Sequence, residues 1–187
     1  MMRRIVSAVA LLVLHVSSTH AQTVTAVTNL DLNQYIGKWF EIARLPNKFQ
    51  KQCVSDVVAT YVKRTDGDID VINSCKNAAG VVEEALGRAR APQSPNMGKL
   101  KVRFAPQWLS WLPMVWADYW VVDLASDYSV AAVGDPTRKY LWILSRNQSI
   151  PDAMYQPLMK RLGAQGYDTS LLVLTNQNAL KQSPAPR

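Results

Sequence analysis

Side chains that could carry acid–base, nucleophilic or metal chemistry are few in this chain, and their positions restrict what it can do. The two histidines, His15 and His20, lie within the first 21 residues, which have the form of a removable leader. A mature chain without histidine cannot build a Ser-His-Asp or Cys-His arrangement or a histidine-ligated metal site. Two cysteines are too few for a thiolate cage. We therefore predict no metal site and no cofactor.

The carboxylates offer no better basis for catalysis. Glu41, Glu83 and Glu84 are candidates, but Glu83 and Glu84 are adjacent and would face opposite sides of a strand. No pair of acids is placed as general acid–base chemistry needs. We therefore expect a protein that is not an enzyme.

Residues 1–21 are expected to be a signal peptide. Arg3 and Arg4 precede an apolar run from 5 to 16 that is too short to span a bilayer, and a small-x-small pattern ends at Ala21. Cleavage there would leave one domain at 22–180 and a flexible tail at 181–187, in the periplasm or secreted. No cysteine follows the cut as a lipid attachment site, so we expect a soluble chain. An uncleaved N-terminal anchor is the alternative.

The charge of the chain gives a weak indication of partners. Removal of the leader would lower the formal charge from +7 to +5, which weakly favours anionic surfaces such as lipid headgroups. Lys99, Lys101 and Arg103 alternate with apolar residues, as on the wet face of a strand. Since no nucleic-acid-binding motif is present, we predict no nucleic-acid partner.

Cys53 and Cys75 could react with each other. An even number of cysteines in an exported chain favours a disulfide. Strand-like segments at 54–64 and 69–74 are joined by a turn containing Asp66-Gly67, a strong hairpin signal, so both cysteines fall at the hairpin end away from that turn. Closing this loop of about 23 residues would stabilise the fold by roughly 3 kcal/mol. Two free, buried thiols are the alternative.

Short strands separated by turn residues continue through most of the chain. We predict an all-β fold: an eight-stranded up-and-down antiparallel barrel with one C-terminal α-helix packed outside. The helix should start near Ser149 to Asp152 and extend to Leu162, with a kink or a late start caused by Pro157. The remaining strands are expected at 81–91, 99–107, 118–125, 128–133, 139–146 and, after the helix, 171–175.

The segment from Tyr35 to Pro46 is expected to begin the barrel. Gly37 permits a tight turn before the strand, and a Trp at its first position can fill the end of a closed sheet. Alternation places every second residue on one side: Trp39, Glu41 and Ala43 on one face, and Phe40, Ile42 and Arg44 on the other.

Three sequence blocks and the helix after them form a longer pattern. The blocks are Gly37-x-Trp39, Asp118-Tyr-Trp120 and the run from Gly134 to Arg146. This pattern resembles the lipocalin (calycin) family, and most of all its bacterial outer-membrane members and the apolipoprotein D branch. The resemblance implies that Gly37, Trp39 and Arg146 form a structural motif, with Arg146 lying across Trp39 at the closed end of the barrel. Many bacterial members carry a lipidated cysteine at the mature N-terminus. This chain lacks one, which argues against such anchoring and leaves association with the outer membrane open.

Inward-facing residues can be named if Trp39 faces the interior. The expected lining is mostly apolar with a few hydroxyl and amide groups, which suits an acyl chain or a similar ligand. The alternative is a solid core, since barrels of this size can be filled by side chains. The predicted ligand-binding residues are Val57, Ala59, Tyr61, Val71, Asn73, Leu100, Val102, Phe104, Tyr119, Val121, Trp142 and Leu144.

The resemblance and this lining together predict a carrier rather than a catalyst. We expect binding, storage or transport of a fatty acid, lysophospholipid or phospholipid, in support of membrane maintenance in the cell envelope. Two alternatives remain open: a pigment or tetrapyrrole binder, which would be coloured, and a lipocalin-fold isomerase, which would turn over a lipophilic substrate.

The segment from Trp108 to Trp116 is more apolar than a solvated loop needs to be. It should lie at the mouth of the barrel, and its candidate membrane-contact residues are Trp108, Trp111, Leu112 and Trp116. We expect transient contact with a lipid surface. A lid over the cavity and a homodimer contact are the alternatives.

Overall fold

The computed structural model of the protein describes residues 23–91 and 97–177, so the predicted signal peptide and tail lie outside the described residues. Eight antiparallel strands follow one another in the sheet, and the eighth pairs with the first. This arrangement confirms the predicted eight-stranded barrel. The strands are β1 Gly37–Arg44, β2 Ser55–Lys63, β3 Ile69–Lys76, β4 Val82–Arg90, β5 Lys99–Arg103, β6 Ala117–Leu124, β7 Val130–Gly134 and β8 Leu141–Ser145.

The C-terminal helix covers one outer side of the barrel. The helix α2, Asp152–Ala164, buries Leu158 and Leu162 against outward-facing residues such as Ala132 and Ile143. Every residue of β7 is buried because one side faces the interior and the other faces this helix. On the polar side of the helix, Arg161 forms an ion pair with Asp123 of β6 at 2.6 Å.

The two ends of the barrel differ. The short helix α1, Leu32–Tyr35, lies at the end where β1 begins. Because the strands run alternately up and down, the connections 64–68 and 125–129 lie at this closed end, and the connections 45–54, 77–81, 104–116 and 135–140 lie at the open end. The ninth strand, β9 Val173–Leu174, pairs with the last residues of β1 at the open end.

A β-bulge in β1 corrects the simple alternation predicted for this strand. Glu41 pairs with Leu144, but the register shifts before Ala43, which pairs with Ile143. Ala43 therefore joins the outer cluster under α2. Arg44 pairs with Trp142 and so shares the inner face with Glu41. The prediction failed because a bulge adds one residue and reverses the facing of all residues after it.

The predicted disulfide is confirmed. Cys53 and Cys75 are bonded, with their Cα atoms 5.5 Å apart. The amide of Val54 donates to the carbonyl of Lys76 at 2.8 Å, which extends the pairing of the two segments to the open end. The bridge ties the β1–β2 connection to the end of β3.

Several predicted boundaries differ from the structure. β5 ends at Arg103 rather than at 107, since Pro106 cannot donate to a strand ladder. β7 begins at Val130 because Tyr128 occupies a turn with φ of 57°. The helix starts at Asp152 with Pro151 as its N-cap and continues through Pro157. The last strand shortens to two residues after a 3-10 turn at Thr169–Leu171.

Candidate ligand-binding cavity

Arg146 and Trp39 lock the closed end of the barrel. The guanidinium carbon of Arg146 lies 3.9 Å from the Trp39 ring centroid, and the indole Nε1 donates to the carbonyl of Tyr35 at 2.8 Å. Gly37, with φ of 97°, makes the turn into β1, and a Cβ there would lie 3.4 Å from Nη1 of Arg146. The guanidinium also donates to four backbone carbonyls, those of Gln34, Tyr35, Ile36 and Lys38. These bonds fix α1 against the start of β1.

The strand register brings most of the predicted lining residues to one face. Trp39 pairs with Ala59 and belongs to the inner cluster, which defines the inward side. Pairing from strand to strand then places ten of the predicted residues on the same side: Ala59, Tyr61, Val71, Asn73, Leu100, Val102, Tyr119, Val121, Trp142 and Leu144.

The other two predicted lining residues lie near the open end. Val57 is buried and stands two residues before Ala59 on β2. Phe104 follows the end of β5 and is 45% exposed. Its ring lies against Gly87 of β4, where an added Cβ would be only 2.7 Å from a ring carbon. Gly87 thus leaves room for an aromatic ring at the rim.

The inward-facing residues differ in exposure. Near the closed end Trp39, Val121 and Leu100 are at most 2% exposed. Ala59, which pairs with Trp39, and Val102 also face inward yet are only half-buried. Inward residues of a solid barrel would be covered by the opposite wall, so accessible surface on them favours unfilled space inside over a solid core. The other half-buried residues of this group are Asn73, Tyr119 and Trp142.

Three tyrosine hydroxyls meet at the bottom of this space. The hydroxyl of Tyr119 lies 2.9 Å from that of Tyr35 and 2.8 Å from that of Tyr61. Burial raises the pKa of Tyr61 to about 12 and raises the pKa of Tyr35 and of Tyr119 well above 10. All three therefore remain protonated and can donate hydrogen bonds at neutral pH. Sequence reasoning missed Tyr35 because it lies on α1, where strand alternation does not apply.

A polar cluster lines the inner wall near the mouth. Glu41, only 2% exposed, accepts hydrogen bonds from Arg44 at 2.5 Å and from the Gln50 amide at 2.7 Å. The amide oxygen of Gln50 in turn accepts from the indole of Trp142 at 2.8 Å. The cluster ties the β1–β2 connection to β8. Sequence reasoning missed it because two residues three apart in a regular strand face opposite sides, and no signal marked the bulge.

The 104–116 connection presents aromatic surface at the mouth. Trp108 and Trp111 are 73% and 74% exposed, and Met114 is 86% exposed. Leu112 is half-buried, as is Trp116. The Trp116 ring lies 3.9 Å from the guanidinium carbon of Arg90, and its Nε1 donates to the carbonyl of Ser110 at 2.8 Å. Trp116 therefore anchors the connection to the outer barrel wall, whereas the other two Trp side chains project into solvent.

The sequence model of the "Lipocalin-like domain" family matches residues 30–177. The chain is a lipocalin. It is 37% identical over 163 residues to temperature-induced lipocalin-1 of Arabidopsis thaliana, with 86% of each chain covered. It is 35% identical over 162 residues to the outer membrane lipoprotein Blc of Escherichia coli K12, covering 86% of this chain and 87% of that protein. With bovine apolipoprotein D the identity is 32% over 157 residues, covering 80% and 78%.

Solved structures support the fold. Insecticyanin from the tobacco hornworm Manduca sexta superposes with a TM-score of 0.63 at 23% identity, covering 84% of this lipocalin and 86% of that chain. Apocrustacyanin C2 gives a TM-score of 0.62 at 18% identity, covering 80% and 81%. Members of the lipocalin family bind small hydrophobic molecules, and the half-open interior of this barrel is where such a ligand would fit.

Two further observations concern the described part of the lipocalin. None of the helical segments within 23–91 and 97–177 has both the length and the hydrophobicity that crossing a membrane requires. In the same ranges, His, Cys, Asp and Glu side chains form no group able to hold a metal ion.

Proposed function

We propose that this lipocalin binds and carries a fatty acid, lysophospholipid or phospholipid, in support of lipid maintenance in the cell envelope. The observation that carries the proposal is that apolar residues such as Ala59 and Val102 face inward yet are only half-buried. A narrow apolar space open at one end suits an alkyl chain better than a compact polar molecule.

The energetics of such binding need no chemical step. Each buried methylene contributes about 0.8 kcal/mol, so ten of them contribute roughly 8 kcal/mol before the costs of association. The raised pKa values of the three interior tyrosines argue against a phenolate base, and Glu41 is held in an ion pair with Arg44. A carrier therefore fits the interior better than an isomerase does.

Export to the periplasm or beyond the cell is part of the proposal. It is supported by the Cys53–Cys75 disulfide, which persists in oxidising compartments, and by the leader-like residues 1–21. The names of two relatives, the outer membrane lipoprotein Blc and apolipoprotein D, point to an envelope or secreted setting and to lipid.

Native mass spectrometry of gently purified protein, followed by identification of the released ligand, tests the lipid class. We expect a mass increment that dissociates as a fatty acid or a phospholipid. A coloured protein that releases a tetrapyrrole would overturn the proposal. So would a protein that is empty as purified and fails to take up acyl lipids.

We also propose that the exposed Trp108 and Trp111 touch a lipid surface when ligand is exchanged. Trp favours the membrane interface, and other connections at the open end add apolar side chains, such as Phe49 and Val81, which are 56% and 57% exposed. Lys48 and Lys51 lie in the β1–β2 connection at the same end, where they would suit anionic headgroups.

Liposome co-sedimentation tests this contact. A Trp108→Ser, Trp111→Ser variant should lose most of the binding that the wild type shows. Val62→Ser is the control, since Val62 is exposed but lies on β2 toward the closed end. Equal sedimentation of the wild type and the double variant would contradict the membrane contact. Gel filtration of the same proteins would reveal a homodimer, and unchanged sedimentation with faster ligand release would indicate a lid.

A further inference from the structure

The hydroxyls of Tyr35, Tyr61 and Tyr119 form a hydrogen-bonding group with one proton to spare. Each hydroxyl carries one proton, and the three are joined by two contacts, both made to Tyr119. Two contacts use two protons. Within the described residues no other hydrogen-bond partner accompanies these hydroxyls, so one donor is left over.

Burial indicates where the spare proton lies. Tyr35 is 1% exposed and Tyr61 is 5% exposed, and the Tyr35 ring packs against the rings of Tyr61 and Trp39. A spare proton on either of them would be an unpaired buried donor, which is unfavourable. Tyr119 is the half-buried member and lies on the inner face of β6, where it packs against the inner cluster. The favoured arrangement has Tyr35 and Tyr61 donating to Tyr119, which directs its own O–H into the cavity.

We propose that the Tyr119 hydroxyl is a single hydrogen-bond donor for the carboxyl group of the ligand, so that an acyl chain enters polar end first with its methyl end toward the mouth. This inference rests on the proposed lipid-carrying function and makes it more specific. The bottom of the cavity offers one donor among aromatic and aliphatic side chains, which matches one carboxyl oxygen. A zwitterionic phospholipid headgroup would lose many more hydrogen bonds there than one donor replaces.

Two electrostatic features favour this role. Tyr119 keeps its proton well beyond neutral pH because burial raises its pKa. The positive charge of Arg146, on the other side of Trp39, is felt at Tyr35 and Tyr61, where it opposes the rise in their pKa. A carboxylate at the cavity floor would benefit from the same charge.

The first test compares two fluorescent probes with the full mature protein: cis-parinaric acid, which has a carboxyl group, and diphenylhexatriene, an apolar rod without one. Tyr119→Phe removes only the hydroxyl group. We expect this variant to bind cis-parinaric acid about tenfold more weakly than the wild type does and to bind diphenylhexatriene with unchanged affinity. Tyr155→Phe is the control, because Tyr155 is a half-buried residue of α2, outside the barrel.

A second measurement reports ligand orientation directly. Stearic acid is spin-labelled either near the carboxyl group or near the methyl end, and access of a water-soluble nickel complex is measured by electron paramagnetic resonance. Polar-end-first binding predicts an accessible label at the methyl end and a protected one near the carboxyl group.

The outcomes separate the inference from the function on which it rests. Loss of cis-parinaric acid affinity alone, with the methyl end accessible, supports the inference. If Tyr119→Phe lowered the affinity for both probes equally, Tyr119 would have a structural role and the inference would be overturned. Unchanged affinity for cis-parinaric acid, or an accessible spin label near the carboxyl group, would also overturn the inference. A wild type that binds neither probe would overturn the lipid-carrying function itself.

Discussion

Replacement of Trp39 by alanine tests whether the closed end stabilises the barrel. Trp39 is 0% exposed, so its removal leaves a large cavity, and such a change costs roughly 3 to 5 kcal/mol. The side chain also donates to the Tyr35 carbonyl, worth about 1 kcal/mol, and stacks on Arg146, worth about 1 kcal/mol. These two contacts place the expected loss at the upper end of that range, about 5 kcal/mol, a large share of the 5 to 15 kcal/mol typical of a domain.

The measurement is urea unfolding followed by circular dichroism, with the disulfide left oxidised. Trp108→Ala is the matched control, because Trp108 is 73% exposed and its loss should change the free energy of unfolding by less than about 0.5 kcal/mol. If Trp39→Ala cost less than about 2 kcal/mol, or no more than Trp108→Ala, the closed end would not be a principal source of stability.

Two further predictions concern the disulfide and the interior tyrosines. A Cys53→Ser, Cys75→Ser variant should lose roughly 3 kcal/mol of unfolding free energy, and equal urea midpoints for this variant and the oxidised wild type would refute the estimate. The pKa of Tyr61 is about 12 in the folded protein and near 10 in the unfolded chain, so between these pH values the folded protein binds more protons than the unfolded chain does. The free energy of unfolding should therefore fall as the pH rises from about 10 to about 12. Urea midpoints measured from about pH 8 upward should decline above about pH 10, and less steeply in Tyr61→Phe; a midpoint that does not change with pH would contradict the burial of these phenols.

The architecture followed from the sequence because each strand carries its own signal. Period-two alternation and turn residues such as Asp66-Gly67 specify a strand and its reversal locally, and the register of the inner face then follows from a single inward residue, Trp39. The disulfide could be predicted for the same reason, since hairpin geometry alone brings Cys53 and Cys75 to one end.

The parts of the interior that local rules missed are those that depend on contacts distant in sequence. A bulge in β1 moves Arg44 onto the inner face, and it becomes visible only in the register against β8, about 100 residues away in the chain. Tyr35 reaches Tyr119 across 84 positions from a helix of four residues. Alternation identified Tyr61 and Tyr119 as facing inward, so the sequence indicated two hydroxyls in the interior, whereas a spare proton can be counted only once Tyr35 is known to meet them. The orientation of the ligand is thus a property of the assembled cavity floor, and the comparison of cis-parinaric acid with diphenylhexatriene addresses that property rather than the lipocalin fold.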